Sequence, residues 1–206
     1  GGLAASTFGA GSFQVRNTGD AAIVAVEIDL SESLIPDAVW DPNGTAGDKT
    51  AKGLQIDSQS GDGTGVVSTD VTDVFSQPHD GIAADGYDVV TIEFTDFDPG
   101  ETVTFSADVD PTTIKGAGTT GGAGSVSGLE LAGSAVTVEY ADGATQTTDL
   151  FGDGSDGGAS ASVNERVAPA PSLGVIGVRL QSTDFPAHQA ATVHASSPTL
   201  TVSGPA

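Results

Sequence analysis

Gly86-Tyr87-Asp88-Val89-Val90-Thr91-Ile92-Glu93-Phe94-Thr95-Asp96-Phe97-Asp98-Pro99-Gly100-Glu101-Thr102-Val103-Thr104-Phe105-Ser106-Ala107-Asp108-Val109-Asp110 is the stretch whose pattern decides the class of this chain. Its apolar residues recur at every second position. Val90, Ile92 and Phe94 alternate with Thr91, Glu93 and Thr95, and Val103, Phe105, Ala107 and Val109 alternate with Thr102, Thr104, Ser106 and Asp108. Successive side chains of a strand point to opposite faces, so a period of two describes two half-buried strands. The Pro99-Gly100 pair between them reads as a turn, and the whole stretch predicts an antiparallel hairpin.

The same period recurs on either side. Val24, Val26, Ile28 and Leu30 are expected on one face of a strand whose other face carries Ala25, Glu27 and Asp29. Val136, Val138 and Tyr140 lead into Ala141-Asp142-Gly143, followed by a Thr-rich return from Thr145 to Leu150. Asp-Gly between alternating runs is a strong hairpin signal. Helical periodicity does not appear. The expected fold is all-β, an immunoglobulin-like or jelly-roll-type antiparallel β-sandwich, with long Gly- and Asp-rich loops over residues 36–65, 115–128 and 152–160 and extra C-terminal β-strands. Loops of that length in a domain are functional or mobile segments.

Charge narrows the setting. The 206 residues carry 28 acidic against 6 basic side chains, a net charge of -22. Such self-repulsion is relieved in concentrated salt, where the Debye length falls to about 3 Å near 1 M. A high-salt, extracellular or cell-surface location is therefore expected. Nucleic acid is excluded as a partner, because phosphate binding needs clustered Lys and Arg and here the six are scattered from Arg16 to Arg179. There is no Cys, hence no disulfide framework and no thiolate metal site. No apolar run reaches the roughly 18 residues that suggest a membrane span, so no membrane insertion is expected. A start at Gly1 and the absence of Met suggest a processed or trimmed chain.

The acidic coat is not uniform. Residues 1–166 form the expected acidic β-sandwich domain, and Val167-Ala168-Pro169-Ala170-Pro171 reads as a stiff extended linker. Residues 172–206 hold Asp184 as their one carboxylate, and they carry strand-like runs over 173–181, 190–194 and 199–203. Thirty-five residues are too few for a sandwich, which takes roughly 100. Three explanations are open: a second β module cut short, a segment folded back onto the first domain, or donor strands that complete the sheet of a neighbouring subunit. On the last, the assembly strands comprise Leu173, Val175, Ile176, Val178, Leu180, Val193, Leu200 and Val202. Alternate side chains such as Val175, Gly177 and Arg179 would then give specificity.

Several motifs together resemble a known kind of module. Phe13-Gln14-Val15-Arg16-Asn17-Thr18-Gly19-Asp20, Val26-Glu27-Ile28-Asp29-Leu30, Asp41-Pro42-Asn43-Gly44-Thr45-Ala46-Gly47-Asp48, the stretch from Gly86 to Asp110, Ser127-Gly128-Leu129-Glu130-Leu131 and Thr201-Val202-Ser203-Gly204-Pro205-Ala206 are similar to a β-sandwich module of large secreted multidomain surface proteins of bacteria and archaea. That module often stands beside malectin-like or other carbohydrate-binding domains. The resemblance covers most of residues 12–206, rests on turns and strand edges, and transfers no catalytic residue. It implies a secreted surface protein continuing into a further β module.

Chemistry-bearing candidates are few. Asp96, Asp98 and Glu101, with Asp108 and Asp110 on the expected partner strand, would supply the oxygen ligands that Ca²⁺ takes in irregular geometry; the other reading is a solvated acidic turn. The pairs Asp57/Asp62 and Asp153/Asp156 do not match the EF-hand loop. Trp40, with Tyr87 and Tyr140, would offer a sugar-stacking platform unless these rings belong to the core. Asn43-Gly44-Thr45 fits the N-glycosylation acceptor pattern. His79, His188 and His194 sit in no nucleophile or metal motif, and His79-Asp80 reads as a loop pair. The expectation is a non-enzymatic structural surface protein, self-associating into a filament or surface assembly through β-strand complementation. The alternative is a carbohydrate-binding module of a secreted adhesin.

Overall fold

The computed structural model describes residues 6–118, 126–155, 157–163, 192–196 and 199–203. The chain divides into two compact units, Gly1–Glu165 and Arg166–Ala206. The linker residues 167–171 lie outside the described residues, as do Leu173, Val175, Ile176, Val178 and Leu180.

The first unit is an antiparallel β-sandwich. Its strands are β1 (Phe13–Arg16), β2 (Ile23–Asp29), β3 (Ala38–Trp40), β4 (Gln55–Gln59), β5 (Phe75–Pro78), β6 (Tyr87–Phe97), β7 (Thr102–Ser106), β8 (Val109–Pro111), β9 (Ala135–Tyr140), β10 (Thr145–Asp149), β11 (Phe151–Gly152) and β12 (Ala159–Ser160), with one helical turn, α1 (Val71–Val74). A seven-stranded sheet runs β10-β9-β2-β6-β3-β8, with β5 also on β6; a three-stranded sheet runs β1-β7-β4; β11 and β12 form a small pair. In the second unit β13 (Thr192–Ser196) pairs with β14 (Thr199–Ser203), placing Val193 opposite Val202 and Ala195 opposite Leu200.

The expected hairpin around Pro99-Gly100 is replaced by a crossing between sheets. β6 pairs with β2, β3 and β5, whereas β7 pairs with β1 and β4. Alternation states that each strand has one apolar face and does not name its partner. Placing β6 and β7 in opposite sheets lets Ile92 and Phe94 bury against Val103 and Phe105 across the sandwich, where a hairpin would leave both faces on one side needing separate cover. Asn17 holds the crossing. Its side-chain amide donates to the carbonyls of Phe97 (3.0 Å) and Ala21 (2.9 Å), and its own carbonyl accepts from the Gly100 N–H (2.8 Å).

The Asp142-Gly143 hairpin forms as expected. β9 and β10 pair in register from Glu139–Thr145 to Ala135–Asp149, and Gly143 takes the left-handed φ of 82° that the turn requires. In β2 the expected face is shifted at one end. The register slips between Ile23 and Ala25, so Ile23 is buried and Val24 only half-buried, while Val26, Ile28 and Leu30 keep their places in the core. A bulge of this kind moves a side chain to the opposite face without ending the strand.

Rows of side chains run across the inner face of the large sheet. One row is Val90, Ile28, Val136, Thr148; the next is Ile92, Val26, Val138, Gln146. Exposure grows along the first: Val90 is 0% exposed, Ile28 5%, and Val136 and Thr148 are half-buried. The large sheet outreaches the small one at the β9–β10 side.

Candidate functional site

Two places in the first unit concentrate chemistry that a plain sandwich does not need. The first is an acidic crossing, where the segment after β3 and the segment between β7 and β8 pass from sheet to sheet side by side. The Asp41 N–H donates to the Asp108 carbonyl (3.0 Å), and the Asp108 N–H to the Lys52 carbonyl (2.9 Å). Asp41, Asp48, Asp108 and Asp110 are all buried here, at 0, 5, 3 and 2% exposure.

A buried carboxylate is stable when N–H or O–H donors replace its water. Asp41 has three: the amides of Thr45, Ala46 and Gly47, each at 2.9 Å. Asp110 has the Asp48 amide at 2.9 Å. The Thr50 hydroxyl lies 2.5 Å from Asp48 and 3.2 Å from Asp108. A hydroxyl carries a single hydrogen, so Thr50 cannot serve both fully, and Asp108, at the longer distance, is the less well supplied with donors. Burial, and then the charge of Asp110, raise its pKa to about 7, with Asp41 and Asp48 adding to the rise and the Thr50 contact opposing it. Burial likewise raises Asp110 to about 6, against the Asp48 amide. Gly47 is required at this spot, because a Cβ there would fall 2.0 Å from the Asp110 Cβ.

The carboxylates expected to bind Ca²⁺ are divided between two places. Asp96 ends β6 on an exposed position, and Glu101 closes the turn by accepting the Asp98 N–H at 2.8 Å. Asp108 and Asp110 lie beyond β7, whose five residues span about 16 Å at roughly 3.3 Å each. The crossing of β6 to the other sheet removed the pairing that was to bring them together. Among the described residues no three His, Asp or Glu side chains are grouped so as to hold a metal ion. Asp57 accepts the Gly11 N–H, and Asp153 accepts the amide and hydroxyl of Ser155; Asp156 lies outside the described residues.

The aromatic platform is a core instead. Trp40 is 0% exposed, with ring centroids 5.6 Å from Phe13 and 6.1 Å from Phe75, so no face of its indole is open to a sugar. Tyr140 is buried and Tyr87 half-buried. Apolar surface next to Trp40 on β3, β1 and β5 wins over display at the surface. His79 pairs with Asp88 (Nδ1 to Oδ1, 2.7 Å) rather than with the adjacent Asp80, and so fastens the end of β5 to the start of β6. Asn43 is exposed in the turn after Asp41, open to modification.

The second place is an open flank. β1 is an edge of the small sheet. The Asn17 N–H donates to the Glu101 carbonyl (3.0 Å), and the register continues Val15–Val103 and Phe13–Phe105. In an antiparallel ladder alternate residues bond to the same neighbour, so Gln14 and Arg16 turn their N–H and C=O away from β7, towards the side where no described strand pairs. Beside this edge lies a groove of about 750 Å³ whose walls are Phe13 and Val15 on β1, Ile23, Val26 and Ile28 on β2, and Val136, Val138 and Tyr140 on β9. Thr7, 4% exposed, lines it, and its Oγ1 has no partner among the described residues. Gln146 Oε1, cross-strand from Val138, is likewise buried and without a partner among the described residues. Val163 lines the groove at the last described position of this unit.

Charge and alternation made the strands and the acidic surface readable, but the groove arises from the unequal width of two sheets, and no local signal carries that. Comparison of the chain with protein-family models, with curated proteins and with solved structures gave no match.

Proposed function

We propose that this chain is a non-enzymatic structural subunit of an extracellular surface assembly, joined to its neighbours by β-strand complementation in a salt-rich setting. The observation that carries the reading is the open flank: a strand edge with outward main-chain groups at Gln14 and Arg16, standing over a groove whose walls on β1, β2 and β9 are apolar and whose rim is polar. An added strand satisfies such an edge through backbone hydrogen bonds and fills the groove with alternate side chains. An edge of this kind left free invites pairing with another chain. Supporting it from the sequence side is the change of character after the Pro linker, where 27 carboxylates give way to one. The acidic surface, with a net charge of -22, keeps the subunits apart in dilute salt and lets them meet when the charges are screened. The resemblance to modules of secreted surface proteins agrees with that location. Among the described residues no helix is long and apolar enough to cross a membrane.

The test is the size of the particle. Purified protein at high salt is expected to form multimers by light scattering and negative-stain microscopy, and removal of residues 172–206 is expected to leave monomers. Monomers from the intact chain across the full range of salt, or multimers unchanged by the deletion, would overturn the reading.

A further inference from the structure

Resting on that assembly reading, we infer that the groove between β1 and β9 is the acceptor for residues 173–180 of a second copy of the chain, laid along the free edge of β1. The sheet of the second unit consists of β13 and β14, which pair with each other. The run Leu173-Gly174-Val175-Ile176-Gly177-Val178-Arg179-Leu180 is the remaining strand-like stretch after the linker. Its even positions carry Ile176, Val178 and Leu180 and its odd positions Leu173 and Val175, with Arg179 as the one charge, so the run is apolar on both faces and gains by burying one of them in a groove.

Where the chain leaves the sandwich sets what the run can reach. Val163, the last described residue of the first unit, already lies on the groove wall. From there residues 164–172 include the Val167-Ala168-Pro169-Ala170-Pro171 stretch, and extended Pro-rich chain advances about 3.1 Å per residue. Nine residues at that advance reach at most roughly 28 Å, which is room enough for the run to meet the groove of a second copy. Electrostatics permit the contact. The run has no carboxylate and one Arg, so it approaches a strongly acidic domain without repulsion. The groove supplies what a strand needs: the outward N–H and C=O of Gln14 and Arg16 for the ladder, and apolar walls for the inward face.

The chain has no Cys, so introduced thiols are unique reporters. Gln14 is exposed, and residues directly opposite each other on paired strands put their side chains on one side at disulfide distance. Full-length Gln14→Cys protein is mixed, before assembly, with full-length Val175→Cys, Gly177→Cys or Arg179→Cys protein and oxidised. The control is Gln55→Cys on β4, the other edge of the small sheet. A disulfide joining two different chains is expected for at least one of the three pairs with Gln14→Cys, at about tenfold or more the yield with Gln55→Cys, because pairing holds the thiols at a high effective concentration. Multimers that cross-link through Gln55→Cys, or through neither edge, would overturn the β1 acceptor while leaving the assembly reading standing. A disulfide confined within one chain of the Gln14→Cys/Gly177→Cys double variant would assign the groove to the chain's own strand and overturn transfer between copies. Absence of multimers from the unaltered protein would bring down both.

Discussion

At the acidic crossing four carboxylates lie buried beside one another, and the surrounding loop wraps them in amides. At the open flank apolar side chains of β1, β2 and β9 face a groove that residues 6–12 and 157–163 also line, and no described strand pairs with the outer edge of β1. Both places exist because strands must pass between, or end beside, two sheets of unequal width. The difference lies in who completes them. The crossing is finished from within, by Gly47, Thr50 and the amides of residues 45–48, and the penalty of crowding four acids falls on their protonation. The flank, on the assembly proposed above, is completed by a partner. A region satisfied internally is sensitive to its own sequence, and one awaiting a partner is sensitive to what is added.

That contrast can be broken by substitution, and Trp40, the single tryptophan and fully buried, reports unfolding by its fluorescence. The largest effect is expected at Gly47→Ala, whose methyl collides with the buried Asp110 side chain: a loss of about 3 kcal/mol in urea unfolding, as for overpacking in a tight core. Gln14→Ala, on the flank edge, should by comparison change stability by less than about 0.5 kcal/mol. If the two cost the same, the crossing is no more internally determined than the flank.

Next comes pH. Asp108 and Asp110 have folded pKa values, about 7 and about 6, above the ordinary 3.8. They therefore bind protons on folding, and their contribution to stability is full below about pH 4 and lost as pH rises through 6 to 7. Unfolding free energy is expected to be higher at pH 5 than at pH 8. Asp108→Asn removes the charge and keeps an acceptor, so it should add on the order of 2 kcal/mol at pH 8 and flatten the slope between pH 5 and 8. A slope unchanged in that variant would place the titrating groups elsewhere.

Smaller effects sharpen the flank. Val90 and Val136 share one row across the large sheet, yet Val90 is fully covered and Val136 half-open to the groove. Val90→Ala is expected to cost about 2 kcal/mol and Val136→Ala about 1 or less in the monomer. Hydrogen exchange then separates the edge residue by residue: the Gln14 and Arg16 amides, turned away from β7, should exchange at least about 100-fold faster than the Val15 amide in the monomer, and slow on assembly.

Much of the fold was legible because strands advertise themselves by period. The alternation of β6, β7 and β9, and the Asp142-Gly143 turn, gave the class and one hairpin. The other expected hairpin does not form, for a physical reason: Val90, Ile92 and Phe94 state that a face is apolar, and the same statement is satisfied by a neighbour in the sheet or by a sheet across the core. Asn17, whose side chain fixes that choice, is one polar residue in a loop and carries no pattern. The candidate site was less legible. Asp108 and Asp110 were noticed as acids, but Asp41 and Asp48, distant in sequence, meet them only through the crossing. For Trp40 the sequence leaves a surface platform and a core ring both open, and burial against Phe13 and Phe75 decides for the core.

The pairing of β1 with β7 also sets an order of events. Phe13, near the start of the chain, finds its ladder partner only at Phe105, so the small sheet waits until more than half the polypeptide is available, and such distant pairings form slowly. Neither wall of the groove is complete before then, since β9 follows later still. A half-made chain therefore holds no finished groove, and on the proposed assembly a molecule can receive another only once its own sandwich has closed.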